Sequence, residues 1–326
     1  MESLYDVIII GGGPTGLSIG RELQKENLKY LILEKNNIGN HISQFPNNMT
    51  FFSTKDLLEL DNFPLTITQI RPTKEEYLIY LNKFVEFYQL NIKPYHEVID
   101  INKNLNQFEI LCKHKNKTIS FYSKYLVLAM GAWKPKLINI PGEDLPYCSH
   151  YFIDPQPYYK QNVCIVGGGN SAVETALILY RYGANVTIVY RKNQLDPQKI
   201  KYWLLPDIEG RIRKNQIHAF FNSQIEKIED YKVYLKNVLN NQRTTLDIDF
   251  VLLLTGYIPD YTLYLKLGGK LYDNKPKYNP ETLESEIPKV FLAGVYLAGD
   301  ISGKTFIENS REHGKIILNA LKKAKF

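Results

Sequence analysis

Two glycine-rich stretches stand about half a chain apart, each behind an apolar run. Gly11-Gly12-Gly13-Pro14-Thr15-Gly16 follows Asp6–Ile10, and Gly167-Gly168-Gly169-Asn170-Ser171-Ala172 follows Asn162–Val166. In such a stretch the first glycine allows a tight turn and the second lets backbone approach a pyrophosphate. A small residue at the third position lets a helix pack on a strand. The phosphates then rest on unpaired N–H groups at the helix N-terminus. One copy alone is a weak signal; its meaning comes from lying between a strand and a helix, and both copies have that context. A chain with two such sites most simply binds two dinucleotides and passes electrons between them.

The residues after each fingerprint separate the two sites. The strand Lys29–Glu34 ends on a carboxylate, which can accept hydrogen bonds from both ribose hydroxyls of an adenosine and repels a 2′-phosphate. The strand Ala184–Tyr190 ends instead on Arg191 and Lys192. A guanidinium grips a phosphate through parallel N–H bonds and a Lys adds a point charge, so this site is expected to take the 2′-phosphate of NADPH. The first site then suits FAD, because nicotinamide delivers hydride and flavin hands it onward as two electrons.

The elements that must hold these residues read as two βαβ units. The first runs through a strand at 5–10, a helix from Thr15 to about Asn27 and the strand at 29–34. A loop of no clear period spans 41–65, and a helix over 74–89 follows Thr73 as its N-cap. Short strands are expected at 108–112 and 119–122, then an apolar strand over 125–131. Residues 133–143, with two prolines and a glycine, read as a linker into the second βαβ unit. A strand at 250–254 leads to the Thr255-Gly256 turn; a strand over 289–297 and a helix from about Ile307 to the end close the chain. The expected fold is α/β, with two Rossmann-like dinucleotide-binding domains and the second inserted in the first. The FAD domain is expected at 1–133 and 258–326, the NADPH domain at 134–257.

Composition bounds the rest. The 326 residues, 44% of them hydrophobic, suffice for two domains of ordinary size. No apolar run approaches the roughly 20 residues that cross a bilayer, and the chain enters its first strand with no signal-type segment, so a cytoplasmic protein without membrane contact is expected. The net charge of +6 is scattered rather than blocked, which argues against nucleic acid as a partner. The three cysteines, Cys112, Cys148 and Cys164, form neither a disulfide framework nor a metal site, and no histidine has metal-ligand spacing.

The two fingerprints, Ala129-Met130-Gly131 and Thr255-Gly256-Tyr257-Ile258-Pro259 together resemble flavoproteins of the low-molecular-weight thioredoxin-reductase type, over essentially the whole chain. Within that group three segments are similar to the YpdA family of bacillithiol disulfide reductases. They are 45–54, His150-Tyr151-Phe152 with 155–159, and 306–314. The resemblance implies FAD and NADPH on a homodimer that reduces a small-molecule disulfide such as oxidised bacillithiol. Gly11, Gly13, Gly16 and Glu34 would hold the FAD diphosphate and ribose, with Pro14 and Thr15 completing that cradle. Gly167, Gly169, Ala172, Arg191 and Lys192 would hold NADPH, with Asn170 and Ser171. Thr305 to Arg311 would set a helix N-terminus, at Phe306 and Ile307, under the flavin, and Asn48, Phe51 and Phe52 would lie on its other side. Gly131, Gly256, Gly294 and Asp300 complete the cofactor-binding candidates, Asp300 as a contact to the ribityl chain.

The chain also departs from its resemblance. Thioredoxin reductases carry C-x-x-C where this sequence has Cys148-Ser149-His150-Tyr151, so a dithiol relay to thioredoxin is not expected. Some YpdA-type members carry a cysteine where this chain has Thr15, and an aliphatic hydroxyl cannot form a mixed disulfide. His313 is the candidate proton donor to a leaving thiolate. Two other readings remain open: a ferredoxin/flavodoxin–NADP reductase serving a small electron carrier, and a flavin redox sensor with little turnover.

Overall fold

The computed structural model describes residues 4–104, 107–299 and 305–324. The chain divides into two compact units, one holding the residues up to 43, 48–134 and from 257 onward, the other 44–47 and 135–256. These crossings lie one residue from those expected, and the assignment of 44–47 to the second unit has no counterpart in the sequence reading. There the Asn47 N–H donates to the Ile153 carbonyl (3.0 Å).

The first unit is built on a seven-stranded sheet. Its centre is the strand Leu4–Ile10, whose inner residues Val7 to Ile9 are fully buried. It runs parallel to Tyr30–Leu33 on one side and to the inner half of Lys117–Leu128 on the other. Two strands were expected between 119 and 131; the structure has a single one of 12 residues. Its outer half pairs antiparallel with Phe108–His114, while Leu126 to Leu128 pair parallel with Val290–Leu292. The buried Ser123 carries the strand through the polar gap that suggested a break.

The helix Pro14–Lys25 starts with proline, which fits the first helical turn because its missing N–H has no partner there anyway. Leu17, Ile19 and Leu23 are all fully buried, and because Leu17 and Ile19 lie on opposite sides the helix is enclosed nearly all round. The helix Lys74–Tyr88 begins in a capping box: Thr73 accepts from the Glu76 N–H, and the Glu76 carboxylate accepts from the Thr73 N–H (2.8 Å). Its buried face is aromatic, with Tyr77, Tyr80 and Phe84. At this end of the chain two expectations change. The strand placed at 289–297 covers only Val290–Leu292, and Gly294–Leu297 forms a 3-10 turn. The C-terminal helix is broken into Ile307–Ser310 and His313–Lys323. Gly314 lets the second of these cross the Pro14–Lys25 helix closely, since a Cβ there would stand 3.1 Å from Ile19 Cα.

The second unit carries a five-stranded parallel sheet in the order His218–Phe220, Asn185–Val189, Asn162–Val166, Phe250–Leu253, Cys148–Ser149. The fingerprint strand is central, with the order reversing around it, so the turn at its carboxyl end opens into the crevice where such folds bind ligand. The helix Asn170–Arg181 covers one face. An antiparallel sheet of Ser223–Glu229, Lys232–Asn237 and Arg243–Asp247, unannounced by the sequence, is packed against the other. The outgoing and returning segments are tied together by Lys136 N–H to the Gly256 carbonyl (2.9 Å) and the Thr255 hydroxyl to the Lys136 carbonyl (2.6 Å).

Candidate functional site

Both fingerprints adopt the backbone their glycines allow. Gly11 has φ +115° and Gly167 φ +146°, conformations in which a side chain is strained. A Cβ on Gly11 would collide with the Ala129 carbonyl, and one on Gly167 would stand 2.5 Å from the Leu254 carbonyl oxygen. Gly13 and Gly169 differ from these. Each is the N-cap of its helix, neither helix end is capped by a side chain, and nothing lies within 4 Å of where a Cβ would stand. The first N–H groups of a helix lack partners inside it, so open space over an uncapped N-terminus is a cradle for a phosphate. That test is met twice, once for each dinucleotide.

In the first cradle Glu34 is folded against the turn. Its Oε2 accepts from the Gly12 N–H (2.6 Å) and its Oε1 from the Asn36 N–H (2.9 Å). Burial raises its pKa, and these N–H groups oppose the rise by stabilising the carboxylate. The C-terminal residues close on the same helix. The Thr15 and Ser310 hydroxyls are 2.9 Å apart, Ser18 donates to the Arg311 carbonyl (2.5 Å), and a Cβ on Gly294 would stand 2.9 Å from Thr15 Oγ1. Ser18 carries no signal in the sequence, and Ser310 and Arg311 stand out there only as part of the segment 306–314, because contacts between residues nearly 300 positions apart leave no pattern. The Arg311 guanidinium spans the carbonyls of Asp56 (3.0 Å) and Glu59 (2.7 Å), ordering the long loop from the far end of the chain.

Several candidates take other roles. His313 Nδ1 accepts from the Gly294 N–H (3.1 Å), and burial lowers its pKa to about 4. It is therefore neutral near pH 7 and holds the Gly294 turn, a geometry that does not support the expected proton donor. The Phe51 ring is buried edge-on against Tyr77 (5.0 Å). Phe52 is exposed, and Asn48 donates its N–H to Glu75 (3.2 Å). The helix at Ile307 is a single turn, too short for the dipole expected under the flavin. Phe306 is exposed and its N–H is taken by Asn309 Oδ1 (2.9 Å). Gly131 and Gly256 are left-handed turns with open space around them. Asp300 lies outside the described residues.

In the second cradle Tyr190 lies against Gly168, where a Cβ would collide with its ring. Ala172 is fully buried under the turn, Ser171 is exposed, and Arg191 and Lys192 extend into solvent at the strand end. Asn170 is committed: its Oδ1 accepts from the Lys201 N–H (2.6 Å), leaving its NH₂ for a ligand.

None of the three cysteines is a ready nucleophile. Cys112 and Cys164 are fully buried, and burial raises each thiol to about 12. Cys148 is raised to about 11, by burial first and then by the charges of Asp144 and Glu143. Among the described residues no group of His, Cys, Asp and Glu could hold a metal ion, and no helix is long and apolar enough to cross a membrane.

Two cradles of the dinucleotide-binding kind, one beside Glu34 and the other beside the strand that leads to Arg191 and Lys192, point to a two-cofactor oxidoreductase. Residues 8–294 match the family model of pyridine nucleotide-disulphide oxidoreductases, and the chain belongs to that family. It is 34% identical to the bacilliredoxin reductase Bdr of Bacillus subtilis, over 94% of both chains. Its structure is similar to bacillithiol disulfide reductase Bdr (YpdA) from Bacillus cereus, with a TM-score of 0.95 and 32% identity over 99% of this chain and 100% of that one. For the same enzyme from Staphylococcus aureus the TM-score is 0.93, with 33% identity and full coverage of both chains. The chain is thus a flavin-dependent oxidoreductase of the disulfide-reductase type, with FAD and NADPH as its cofactors.

Proposed function

We propose that this enzyme uses NADPH to reduce a low-molecular-weight disulfide, with oxidised bacillithiol as the leading substrate, and that it does so as a cytoplasmic homodimer. The observation that supports the reading most is the pairing of an acidic adenosine pocket with a cationic one in a chain similar end to end to the Bdr enzymes. FAD, when bound, carries two electrons between a hydride donor and a disulfide. The protein holds and orients. The Gly13 turn and the N–H groups of the Pro14–Lys25 helix carry the FAD diphosphate, and Glu34 selects an unphosphorylated ribose. The Gly169 turn and Asn170 carry the diphosphate of NADPH, with Arg191 and Lys192 on its 2′-phosphate. The balance is NADPH, one proton and one disulfide giving NADP⁺ and two thiols.

The environment of the cysteines shapes the last step. With Thr15 hydrogen-bonded to Ser310 and every thiol raised by burial, the acceptor is reduced without a mixed disulfide to the protein. The test is anaerobic: NADPH should bleach the flavin, and oxidised bacillithiol should restore its colour over many turnovers. If oxidised bacillithiol fails and a bacilliredoxin disulfide or a ferredoxin succeeds, the small-molecule assignment is wrong. Light scattering checks the dimer.

A further inference from the structure

Between the end of the strand Asn185–Val189 and the helix Leu205–Arg213 the chain crosses the second fingerprint as a strap that carries Arg191 and Lys192. It is pinned at three places. The Lys192 carbonyl accepts from the Asn222 N–H (2.9 Å). Leu195 and Ile200 enter the hydrophobic core of the unit. Lys201, only 5% exposed, then clasps the fingerprint helix twice: its N–H donates to Asn170 Oδ1 (2.6 Å) and its ammonium pairs with Glu174 Oε2 (2.8 Å). Asn170 and Glu174 are four residues apart and so share one face of that helix.

A buried ion pair is an expensive way to fill space. Apolar residues of the same volume often serve packing as well or better, so the charge at Lys201 needs another reason. The ligand supplies one. In NADPH the diphosphate and the 2′-phosphate are held apart by a rigid ribose. The protein must therefore set the cations that read the 2′-phosphate at a fixed position relative to the helix that carries the diphosphate. Lys201 is the residue that ties the strap to the first turns of that helix by both backbone and side chain.

We propose that the Lys201–Glu174 pair, with Asn170, is a positioning device for coenzyme selectivity: it sets Arg191 and Lys192 against the 2′-phosphate and does not itself bind the nicotinamide end. This rests on the assignment of the second fingerprint to NADPH. Asn170 thereby serves two partners, its carbonyl oxygen holding the strap and its NH₂ facing the diphosphate.

The test is equilibrium binding of 2′,5′-ADP and 5′-AMP to the FAD-loaded protein by calorimetry, since the two ligands differ only in the 2′-phosphate. Lys201→Met should weaken 2′,5′-ADP about ten-fold and change 5′-AMP less than about two-fold, with Lys201→Arg recovering most of the loss. In turnover the same variant should raise KM for NADPH and leave kcat unchanged. Equal weakening of both ligands, or of neither, overturns the proposal. Should Lys201→Met fail to fold, Glu174→Gln is read in the same way: preferential loss of 2′,5′-ADP supports the device, and equal loss overturns it. Arg191→Ala tests the underlying assignment separately. If it leaves the preference for 2′,5′-ADP intact, the 2′-phosphate site is wrong whatever Lys201 does.

Discussion

The two fingerprint regions use the same backbone device and enclose it differently. In the first, Glu34 is drawn into the turn by two N–H groups, and segments from the end of the chain close over the helix through Ser310, Gly294 and His313. In the second, the contacts described lie within 162–222 apart from the Leu254 carbonyl against Gly167, and Arg191 and Lys192 stand in solvent. A pocket closed by remote segments suits a cofactor that stays. A pocket of local contacts with an exposed charged rim suits one that enters and leaves each cycle, steered by a field that salt can screen. On the proposed assignment, the end of one strand sets the identity of a dinucleotide, and what folds over the helix afterwards sets its residence.

The sharpest way to break this comparison is to add one methyl group to each turn. Gly16→Ala places a Cβ on the Gly11 carbonyl, and overpacking of this kind costs ~1–3 kcal/mol; the protein should be purified largely colourless. Gly169→Ala meets nothing within 4 Å, so the fold and bound flavin should survive while KM for NADPH rises. Flavin content by absorbance separates the two. Next in size, the double substitution Arg191→Ala with Lys192→Ala should raise KM for NADPH by about ten- to a hundred-fold, the weight of two charge-assisted contacts. NADH should be nearly unaffected, and the preference of the wild type should shrink as salt is added.

Acid should distinguish the regions as well. His41 and His313, both in the first unit, have pKa values lowered to about 4 by burial, against about 6.5 in an unfolded chain. Above pH 6.5 neither state binds these protons. As the pH falls from there toward 4 the unfolded chain takes them up first, so stability falls, by about 1.4 kcal/mol per pH unit for each histidine. Urea titrations at pH 7, 6 and 5 should show the slope, and His313→Gln should remove one histidine's share of it. The smallest effect is expected from Thr15→Val, which removes the bond to Ser310 at a cost of ~1 kcal/mol and should leave turnover with the disulfide intact. Loss of turnover there would mean that the hydroxyl takes part in the reaction.

Much of the α/β plan was legible because its signals are local. Apolar runs followed by glycine mark both central strands, and Thr73 with Glu76 announces a helix start by itself. Features that depend on distant partners were hidden. The strand Lys117–Leu128 was read as two because Ser123 and Lys124 look like a break. Its pairing with Leu4–Ile10 over 122–128, with Phe108–His114 over 117–123 and with Val290–Leu292 over 126–128 makes it continuous. Phe51 and Phe52 enter together through the family resemblance, and only the Tyr77 ring shows that the first is buried while its neighbour is exposed. His313 stands in the sequence as a candidate proton donor, while the partner that holds it, the Gly294 N–H, is 19 positions back. Lys201 went unremarked, since nothing in a sequence marks a lysine as buried.

The first unit begins before residue 43 and is completed only by Val290–Leu292 and His313–Lys323, whereas almost all of the second lies in one stretch, 135–256. During synthesis, where domains fold as units in the order they become complete, the insert can finish while the host still lacks a sheet strand and the helix that crosses Pro14–Lys25. A released chain ending shortly after residue 260 should therefore resist protease across the insert and be cut freely before it, so that the proposed coenzyme site forms ahead of the proposed flavin site.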